Sequence, residues 1–269
     1  MKNLIIRTIT AAAFVAVLLG CTFYGPYSFS ILFLIVTTLG LWEFYALIEK
    51  SGSSPQKIYG LIIGILSYIT FALVILKICP PKIAYLSLPL WFSILIIELF
   101  RKKENPFRNI AVTALGLVYI AIPFQCLIHI TSISGTYNYQ IMFGIFFILW
   151  CYDAGAYLVG SAIGKHKLFP RISPGKTWEG SIGGAIISYG IVYIISGWYT
   201  SIGVIDWLVI ATILIVIGTL GDLTESLLKR SVAMKDSGNL LPGHGGILDR
   251  FDSLIMSAPF IFCYLMLIK

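Results

Sequence analysis

Apolar residues dominate nine long segments of the chain, which are separated by short polar and glycine-rich segments. No segment has the alternation of apolar and polar residues that is typical of a membrane-barrel strand. Each is long enough to cross the hydrocarbon core as an α-helix, which satisfies its own backbone hydrogen bonds. We therefore predict an all-α, polytopic integral membrane protein with about nine transmembrane helices. The predicted helices cover approximately 4–23, 28–49, 58–78, 83–100, 109–133, 139–163, 180–199, 205–228 and 249–268.

The first apolar segment also resembles a bacterial lipoprotein signal. Lys2 and Arg7 precede an apolar run that ends in Gly20-Cys21, and a basic start before an apolar core is typical of a targeting segment. Leu19, however, is an unfavourable residue immediately before the Gly-Cys pair. We therefore expect a first helix that is retained in the membrane.

Composition excludes an ordinary soluble enzyme and a disordered chain. Of 269 residues, 58% are hydrophobic and 12% are charged, with a mean hydropathy of +0.91, whereas a soluble domain has about 25% charged residues. The cysteines have no C-x-x-C spacing and are interpreted as reduced residues in or beside apolar segments, because neither a disulfide framework nor a zinc site fits them. They are Cys21, Cys79, Cys126, Cys151 and Cys263.

The distribution of basic residues predicts an orientation. Of the 19 lysines and arginines, all but Lys77, Lys82 and Lys269 fall on one side of a nine-helix arrangement. The positive-inside rule then places the N-terminus in the cytoplasm and the C-terminus outside. The net charge of +7 lies in loops beside anionic lipid headgroups, so we expect no nucleic-acid partner. The expected location is the cytoplasmic (inner) membrane of a bacterium, with the active site facing the cytoplasm.

The end of the eighth predicted helix is the richest polar segment. Asp222, Glu225, Ser226 and Lys229 follow the i, i+3, i+4, i+7 spacing, so they share one face of the helix. Lys229 and Arg230 also fit an ordinary helix end, where cations reach the membrane surface. That explanation does not account for the carboxylates of Asp222 and Glu225. Carboxylates are costly inside a membrane, so their presence indicates a function.

A glycine-rich segment follows and leads into the last helix. Its glycines would allow backbone N–H groups to approach an anion beside a helix N-terminus. Asp249 could simply be the N-cap of the last helix, but that role would not explain the presence of Asp252. The candidate residues here are Lys235, Asp236, His244, Gly245, Gly246, Asp249, Arg250 and Asp252.

Asp222 and Asp249 are predicted to meet at adjacent helix ends on one side of the membrane. Two carboxylates with hydroxyls and a lysine form a hard oxygen site that suits Mg²⁺, and a nucleotide phosphate can supply the remaining ligands. Zinc is disfavoured because His244 has no Cys or His partner at ligand spacing. We therefore predict Asp222 and Asp249 as metal ligands and, with Lys229, as catalytic residues.

A third polar segment precedes the seventh predicted helix. Gly175-Lys176-Thr177 resembles the end of a P-loop, but the first glycine of that motif would fall on Pro170 and no strand is predicted before it, which excludes a Walker fold. A cation, two hydroxyls and bare backbone at a helix start can nevertheless hold phosphate. The candidate residues are Ser173, Lys176, Thr177 and Glu179.

Two further acidic residues stand inside apolar helices. Asp153 lies in the sixth predicted helix, and Glu43 lies in the second, where it could face the same cavity or pair with a neighbour. The acidic residues are concentrated after residue 138. We therefore divide the chain into an N-terminal scaffold, 1–138, which could face lipid or a second copy, and a catalytic region, 139–269.

These segments together resemble the phosphatidate cytidylyltransferase (CDP-diacylglycerol synthase) family. The signature comprises Ser226-Leu227-Leu228-Lys229-Arg230, Lys235-Asp236 and Pro242-Gly243-His244-Gly245-Gly246-Ile247-Leu248-Asp249-Arg250-Phe251-Asp252. The 173–180 segment and the helix that carries Asp153 are also similar to the family. The resemblance is strongest over 145–260, and the first five helices are similar only in hydropathy.

The resemblance implies an enzyme of phospholipid biosynthesis that condenses CTP with phosphatidate to CDP-diacylglycerol and pyrophosphate. It implies Mg²⁺ as cofactor, alone or with a second, monovalent cation. Membrane lipids are the other implied partners, and a homodimer is implied because family members are often dimeric. Carried over by position, Asp222 and Asp249 are the metal carboxylates, and Lys229, Arg230 and Lys235 neutralise triphosphate. The implied substrate-binding residues are Asp153, Ser173, Lys176, Thr177, Glu179, Glu225, Ser226, Arg230, Lys235, Asp236, His244, Gly245, Gly246, Arg250 and Asp252.

Four alternatives fit the sequence less well. A CTP-dependent lipid kinase would need a general base, for which the site offers no clear candidate. A CDP-alcohol phosphatidyltransferase would carry a D-G-x-x-A-R motif, which is absent. A transporter predicts midplane polar residues and internal repeats, whereas the polar residues here crowd one end. A membrane scaffold without chemistry leaves the last two helices and their glycine-rich connection unexplained.

Overall fold

The computed structural model describes residues 2–238 and 245–268, with side chains from residue 8 onward. The prediction of an all-α, polytopic membrane protein is confirmed. Among the described residues, eight helices are long and apolar enough to cross a membrane. The first helix adds a shorter apolar stretch, Thr8–Tyr24. His244 and the other residues of 239–244 lie outside the described part of the chain.

The helices follow the predicted apolar segments closely. They are α1 (Lys2–Tyr24), α2 (Pro26–Lys50), α3 (Lys57–Ile75), α4 (Ser87–Arg101) after a 3-10 turn (Pro81–Leu86), α5 (Pro106–Gly116), α6 (Ile122–Thr131), α7 (Tyr139–Ile163), α8 (Trp178–Trp198), α9 (Val204–Ser231) and α10 (Leu248–Ile268). One π-helical turn, Leu117–Ala121, joins α5 to α6. Pro123 follows this turn at the start of α6, and a proline without an N–H group interrupts regular α-helical bonding there.

The segment before α8 is a β-hairpin, so the expectation of a loop without a preceding strand was wrong. Strands β1 (Lys167–Phe169) and β2 (Ser173–Thr177) pair antiparallel, with Lys167 opposite Thr177. Such short strands carry too few residues to show an alternating pattern. The exclusion of a Walker fold holds on other grounds, because the Gly-Lys-Thr motif lies within β2 and not in a loop between a strand and a helix.

Glycines allow the helices that carry the site to pack closely. A Cβ atom on Gly155 of α7 would lie 3.1 Å from the Cα of Gly184 in α8, and one on Gly160 would lie 3.4 Å from the Cα of Gly180. Small residues permit this approach of helix backbones inside a membrane. The contact fixes the hairpin, which connects α7 to α8, above the ends of both helices.

The scaffold half has its own tight core. Tyr45 of α2 is fully buried, and its hydroxyl donates to the Thr113 carbonyl of α5 at 2.8 Å. Its ring lies against Gly60 and Gly116, where a side chain would collide with it. This residue therefore ties α2, α3 and α5 together, and α2 extends from this core towards the site.

Candidate active site

A cavity of about 440 Å³ lies between the hairpin and the ends of α7, α8, α9 and α10. All of these elements reach it at the same end of the molecule, because α7 and α9 end there and α8 and α10 begin there. Its lining includes seven of the residues predicted from the sequence, brought together from four separate segments. They are Asp153, Ser173, Lys176, Thr177, Asp222, Asp249 and Asp252.

Lys176 and Asp222 face each other across this cavity. The Lys176 Nζ atom of β2 lies 2.5 Å from Asp222 Oδ2 of α9, and the Ser226 hydroxyl donates to Asp222 Oδ1 at 3.3 Å. About a quarter of the Lys176 side chain and a third of the Asp222 side chain are exposed. Both groups can therefore reach a ligand that enters the cavity.

Two more carboxylates add negative charge beside this pair. Asp252 of α10 interacts electrostatically with Asp222, Asp153 and Lys176, and Asp153 of α7 also feels the charge of Arg250. Asp252 Oδ1 accepts the N–H of the next residue, Ser253, at 2.6 Å. Lys176 and Arg250 are two basic side chains near three carboxylates, so a further cation would add favourable charge to this part of the cavity.

The donor set of the cavity fits a magnesium ion that is completed by a ligand. Carboxylate oxygens are hard donors, and Mg²⁺ in proteins commonly takes one or two carboxylates together with phosphate oxygens and waters. Within residues 2–238 and 245–268, no three acidic, histidine or cysteine side chains are grouped closely enough to hold a metal alone. The chain therefore offers part of a coordination shell, and phosphate would supply the remainder.

Asp249 is held differently from the other cavity carboxylates. Its Oδ1 atom lies 2.5 Å from Lys229 Nζ, and Oδ2 accepts the N–H of Ser237 at 3.0 Å, the hydroxyl of Ser237 at 2.9 Å and the N–H of Gly246 at 2.8 Å. Each carboxylate oxygen has about two acceptor positions, so the three donors crowd Oδ2, whereas Oδ1 faces Lys229. The predicted second metal ligand therefore already holds several donors from within the protein.

Lys229 lies buried between two acids. Its Nζ atom is 2.5 Å from both Glu225 Oε2 and Asp249 Oδ1, and its side chain is 12% exposed, against 1% for Glu225 and 8% for Asp249. The expected role of Lys229 in neutralising a triphosphate does not follow from this position. The lysine instead joins α9 to the first turn of α10, and Glu225 serves as its second partner.

The two described glycines of the signature shape the turn around Asp249. Gly245 has a φ of +78°, and a Cβ atom there would lie 2.5 Å from Asp249 Oδ2. The N–H of Gly246 is donated to Asp249, so it is not free for an anion as the sequence interpretation supposed. These glycines are needed because the chain folds tightly back onto Asp249.

Several predicted site residues hold the hairpin or lie away from the cavity. The Thr177 hydroxyl caps α8 by accepting the Gly180 N–H at 3.1 Å, and Glu179 accepts both the backbone N–H and Nδ1 of His166. Arg230 donates to the Met234 carbonyl. Three exposed residues at the end of α9 and in the turn after it are absent from the described lining of the cavity: Arg230, Lys235 and Asp236.

A second cavity, of about 230 Å³, adjoins the first along α10. Apolar side chains of α1 and α7 form one wall, including Phe14, Val15 and Trp150, and Arg250 lies at its polar end. Asp153, Asp249, Asp252 and Ser253 line both cavities. This contribution of α1 was not predicted from the sequence, because the apolar pattern of α1 does not distinguish a cavity wall from a surface that faces lipid.

Ser237 and Glu43 complete the site from outside the predicted set. Ser237 donates twice to Asp249. Glu43, predicted from the sequence either to face the cavity or to pair with a neighbour, accepts the Leu248 N–H, and its Oε2 atom lies 3.3 Å from the Ser237 hydroxyl oxygen. A serine before a glycine has no distinguishing sequence signal, whereas a glutamate in an apolar helix does.

Comparison with known sequences identifies the family of the chain. A sequence profile described as the cytidylyltransferase family matches residues 5–268, so the match includes the first five helices as well as the signature. The chain belongs to the cytidylyltransferase family. This finding confirms the resemblance drawn from the signature, and it extends the resemblance to the scaffold helices.

Individual cytidylyltransferases are similar over a large part of the chain. It is 41% identical over 180 residues to the phosphatidate cytidylyltransferase of Bacillus subtilis (strain 168), which covers 65% of this chain and 66% of that protein. The enzymes of that name from Staphylococcus saprophyticus and Staphylococcus haemolyticus are each 41% identical over 172 residues, or 63% of this chain and 64% of theirs. The chain thus spans just under two thirds of the length of these curated relatives.

Proposed function

We propose that the chain is a phosphatidate cytidylyltransferase, which condenses CTP with phosphatidate to give CDP-diacylglycerol and pyrophosphate. The observation that carries the proposal is the junction of two cavities at Asp153, Asp249 and Asp252. One cavity is lined by a lysine and carboxylates, and the other has apolar walls from α1 and α7. A polar nucleotide and a membrane lipid can therefore meet at one point, and the names of the relatives describe that reaction.

The larger cavity is the proposed nucleotide site. Its volume of about 440 Å³ falls in the usual range for small-ligand sites. Lys176 is the cation best placed for a phosphate group, because it lines this cavity and is partly exposed. Ser173, three residues earlier on the same strand, lines the same cavity.

The smaller cavity is the proposed approach for phosphatidate. Phe14, Val15 and Trp150 offer apolar contact for an acyl chain, and Arg250 lies at the end that adjoins the carboxylates. An arginine can hold a phosphate through two parallel hydrogen bonds. The lipid phosphate would then lie beside the nucleotide, while the acyl chains stay among apolar side chains.

Magnesium is the proposed cofactor, with Asp222 as its first ligand. Bound Mg²⁺ would neutralise phosphate charge during the transfer. Asp249 is the second ligand expected from the sequence, but its oxygens already hold four donors. Asp252 and Asp153 would need no such displacement. A second, monovalent cation is part of the same proposal. The three carboxylates of Asp153, Asp222 and Asp252 outnumber the two basic side chains near them, Lys176 and Arg250.

The proposed reaction needs no protein nucleophile. An oxygen of the phosphatidate phosphate attacks the α-phosphorus of CTP, and the bond between that phosphorus and the bridging oxygen to the β-phosphate breaks as pyrophosphate leaves. Lys176 would bind the phosphates and stabilise the charge that accumulates on the departing pyrophosphate. Asp222 would release Lys176 for this role as it binds the cation.

The site is proposed to face the cytoplasm of a bacterial cell. The hairpin, the turn after α9 and the connection between α2 and α3 lie at the same end as the cavity. In the nine-helix arrangement predicted from the sequence, these connections lie on the side that receives sixteen of the nineteen basic residues. The positive-inside rule places that end in the cytoplasm, where CTP is available.

The test is the fate of labelled phosphorus. Purified protein in detergent is incubated with Mg²⁺, phosphatidate and CTP labelled at either the α- or the γ-phosphate. We expect the α-label in a CDP-lipid and the γ-label in pyrophosphate. A γ-label in the lipid, with a polyprenol or another lipid alcohol as acceptor, would instead identify a CTP-dependent kinase and refute the proposal.

A further inference from the structure

Glu43 brings the scaffold half of the chain into contact with the site. It lies on α2 among the buried side chains Leu41, Phe44 and Tyr45, and it is only 7% exposed. Its Oε2 atom accepts the N–H of Leu248, the first residue of α10, at 3.0 Å. An N–H group in the first turn of a helix has no partner within that helix. Glu43 therefore binds a free donor at the N-terminus of α10.

Ser237 connects Glu43 to Asp249. Its hydroxyl lies 2.9 Å from Asp249 Oδ2 and 3.3 Å from Glu43 Oε2. A hydroxyl has one hydrogen to donate, so the shorter contact to Asp249 is its main hydrogen bond. Glu43 Oε2 is the second carboxylate oxygen in contact with this hydroxyl. The backbone N–H of Ser237 also donates to Asp249. A chain of contacts thus runs from α2 through one serine to a carboxylate of the cavity.

Two glycines of the loop are packed directly against the Glu43 carboxylate. A Cβ atom on Gly238 would lie 2.7 Å from Glu43 Oε1, and one on Gly246 would collide with Glu43 Oε2 and the Ser237 hydroxyl. No other residue type could occupy these positions without moving the glutamate. The two described ends of the connection between α9 and α10 are therefore packed against this side chain.

A purely structural role would not require a carboxylate here. Burying an ionisable group without full hydrogen bonding is costly, and in the described residues Glu43 Oε1 has no hydrogen-bond partner. An apolar side chain of similar size would avoid this cost but could not accept the Leu248 N–H. The acceptor function, directed at the start of α10 and at Ser237, is what the carboxylate adds.

We propose that Glu43 is a positioning residue of the active site, which acts through Ser237 and the start of α10 to hold Asp249 at the edge of the cavity. This inference rests on the proposed function. Glu43 is absent from the described lining of both cavities. Its effect is to keep Asp249 bound to Lys229 and beside Asp222, where the phosphates of the nucleotide would bind.

The experiment compares Glu43→Gln, Glu43→Ala and Ser237→Ala with the double variant Glu43→Gln/Ser237→Ala. Since a hydrogen bond to a charged group contributes about 1.5–3 kcal/mol and 1.4 kcal/mol is tenfold, we expect Glu43→Ala to lower kcat/KM for CTP about tenfold to hundredfold. Glu43→Gln should have a smaller effect. The double variant should lose little more than the worse single variant, because both act on one chain of contacts. Glu49→Gln, on an exposed pair with Lys57 of the same end, is the matched control.

Hydrogen exchange separates a failure of this inference from a failure of the proposed function. Glu43→Ala should speed amide exchange in peptides that cover 232–249 and leave α7 and α8 unchanged, whether or not the protein makes CDP-diacylglycerol. Unchanged exchange in 232–249 would overturn the inference. Additive kinetic losses in the double variant, or a lower Tm with unchanged kinetic constants, would overturn it as well. An inactive wild-type protein with the expected exchange pattern would instead count against the cytidylyltransferase activity alone.

Discussion

Lys176 and Asp222 neutralise each other across the cavity, with the Nζ and Oδ2 atoms 2.5 Å apart. A phosphate group that binds Lys176 therefore competes with Asp222, and a cation that binds Asp222 competes with Lys176. The proposed metal–nucleotide complex would satisfy both partners in one event, because it would bring a cation for the aspartate and phosphates for the lysine. Either ligand alone would leave one of the two charges without a partner, which is costly in a partly buried site.

Replacement of Lys176 by alanine should weaken the use of CTP with little effect on the fold. We expect kcat/KM for CTP to fall at least about tenfold, since a charged hydrogen bond to phosphate is worth about 1.5–3 kcal/mol. An ion pair of which both partners are partly exposed contributes only about 0–1 kcal/mol to stability, so the Tm should change little. Lys167→Ala, exposed on the other strand of the hairpin, is the control. An equal loss in both variants would mean that general surface charge is responsible.

Amide variants of the three acids should identify the metal ligands. Asp222→Asn should lower turnover strongly and raise the Mg²⁺ concentration needed for half-maximal residual activity, because an amide is a much weaker ligand for Mg²⁺ than a carboxylate. Asp249→Asn and Asp252→Asn are compared with it across the same Mg²⁺ titration.

If Asp249 ligates metal, its variant should behave like Asp222→Asn, and the double variant should lose no more than either single one. If its role is to hold Lys229, Asp249→Asn should lower the Tm more than the Mg²⁺ response, and Asp252→Asn should resemble Asp222→Asn. Near-normal turnover of Asp222→Asn at saturating Mg²⁺ would contradict the metal site in either form.

Lys229→Ala should destabilise the protein more than any exposed lysine does. The substitution leaves Glu225 and Asp249 buried without their cation, and breaking a buried pair in this way costs about 3–5 kcal/mol. The measurement is thermal unfolding in detergent. Adding Glu225→Gln should recover part of the loss, since one uncompensated charge is removed. Arg230→Ala, the next residue along and exposed, is the control, and an equal shift in Tm there would refute this explanation.

Gly246→Ala should inactivate the protein by moving Glu43 or Ser237. The new methyl group would collide with both side chains, and forced overpacking of this kind costs about 1–3 kcal/mol. Gly190→Ala is the matched control, because a Cβ atom at that helical position meets nothing within 4 Å. It should be neutral or slightly stabilising, since alanine is the better helix former. Activity and Tm of the two variants, measured side by side, test the prediction.

The positions of the helices could be predicted from the sequence, whereas several of the site contacts could not. Hydropathy alone placed the sixth helix at 139–163, which is where α7 begins and ends, because an apolar run of that length has few alternatives in lipid. The spacing of Asp222 and Lys229 placed them on one helical face. It could not indicate that Lys229 turns to Asp249, because that contact depends on how α10 packs against α9.

The remaining differences have the same physical origin. The strands of the hairpin 167–177 are too short to show an alternating pattern of apolar and polar residues. The hairpin is held by contacts such as the one between Glu179 and the backbone of His166. Two of the hydrogen bonds to Asp249 come from Ser237, twelve residues away along the chain. Glu43 reaches Leu248 across 205 residues of sequence. Local patterns contain no information about partners that only tertiary packing brings together.

The contact between Glu43 and the loop at Gly246 limits how the chain can be divided. A boundary after residue 138 separates two sets of helices by composition, but an essential part of the second set is shaped by a side chain of the first. Hybrid proteins that combine residues 1–138 of one family member with 139–269 of another should work only when the donor supplies a glutamate that reaches this loop. Exchange of the two halves between relatives therefore has to preserve one particular pair of positions, however freely the surfaces of the scaffold helices vary.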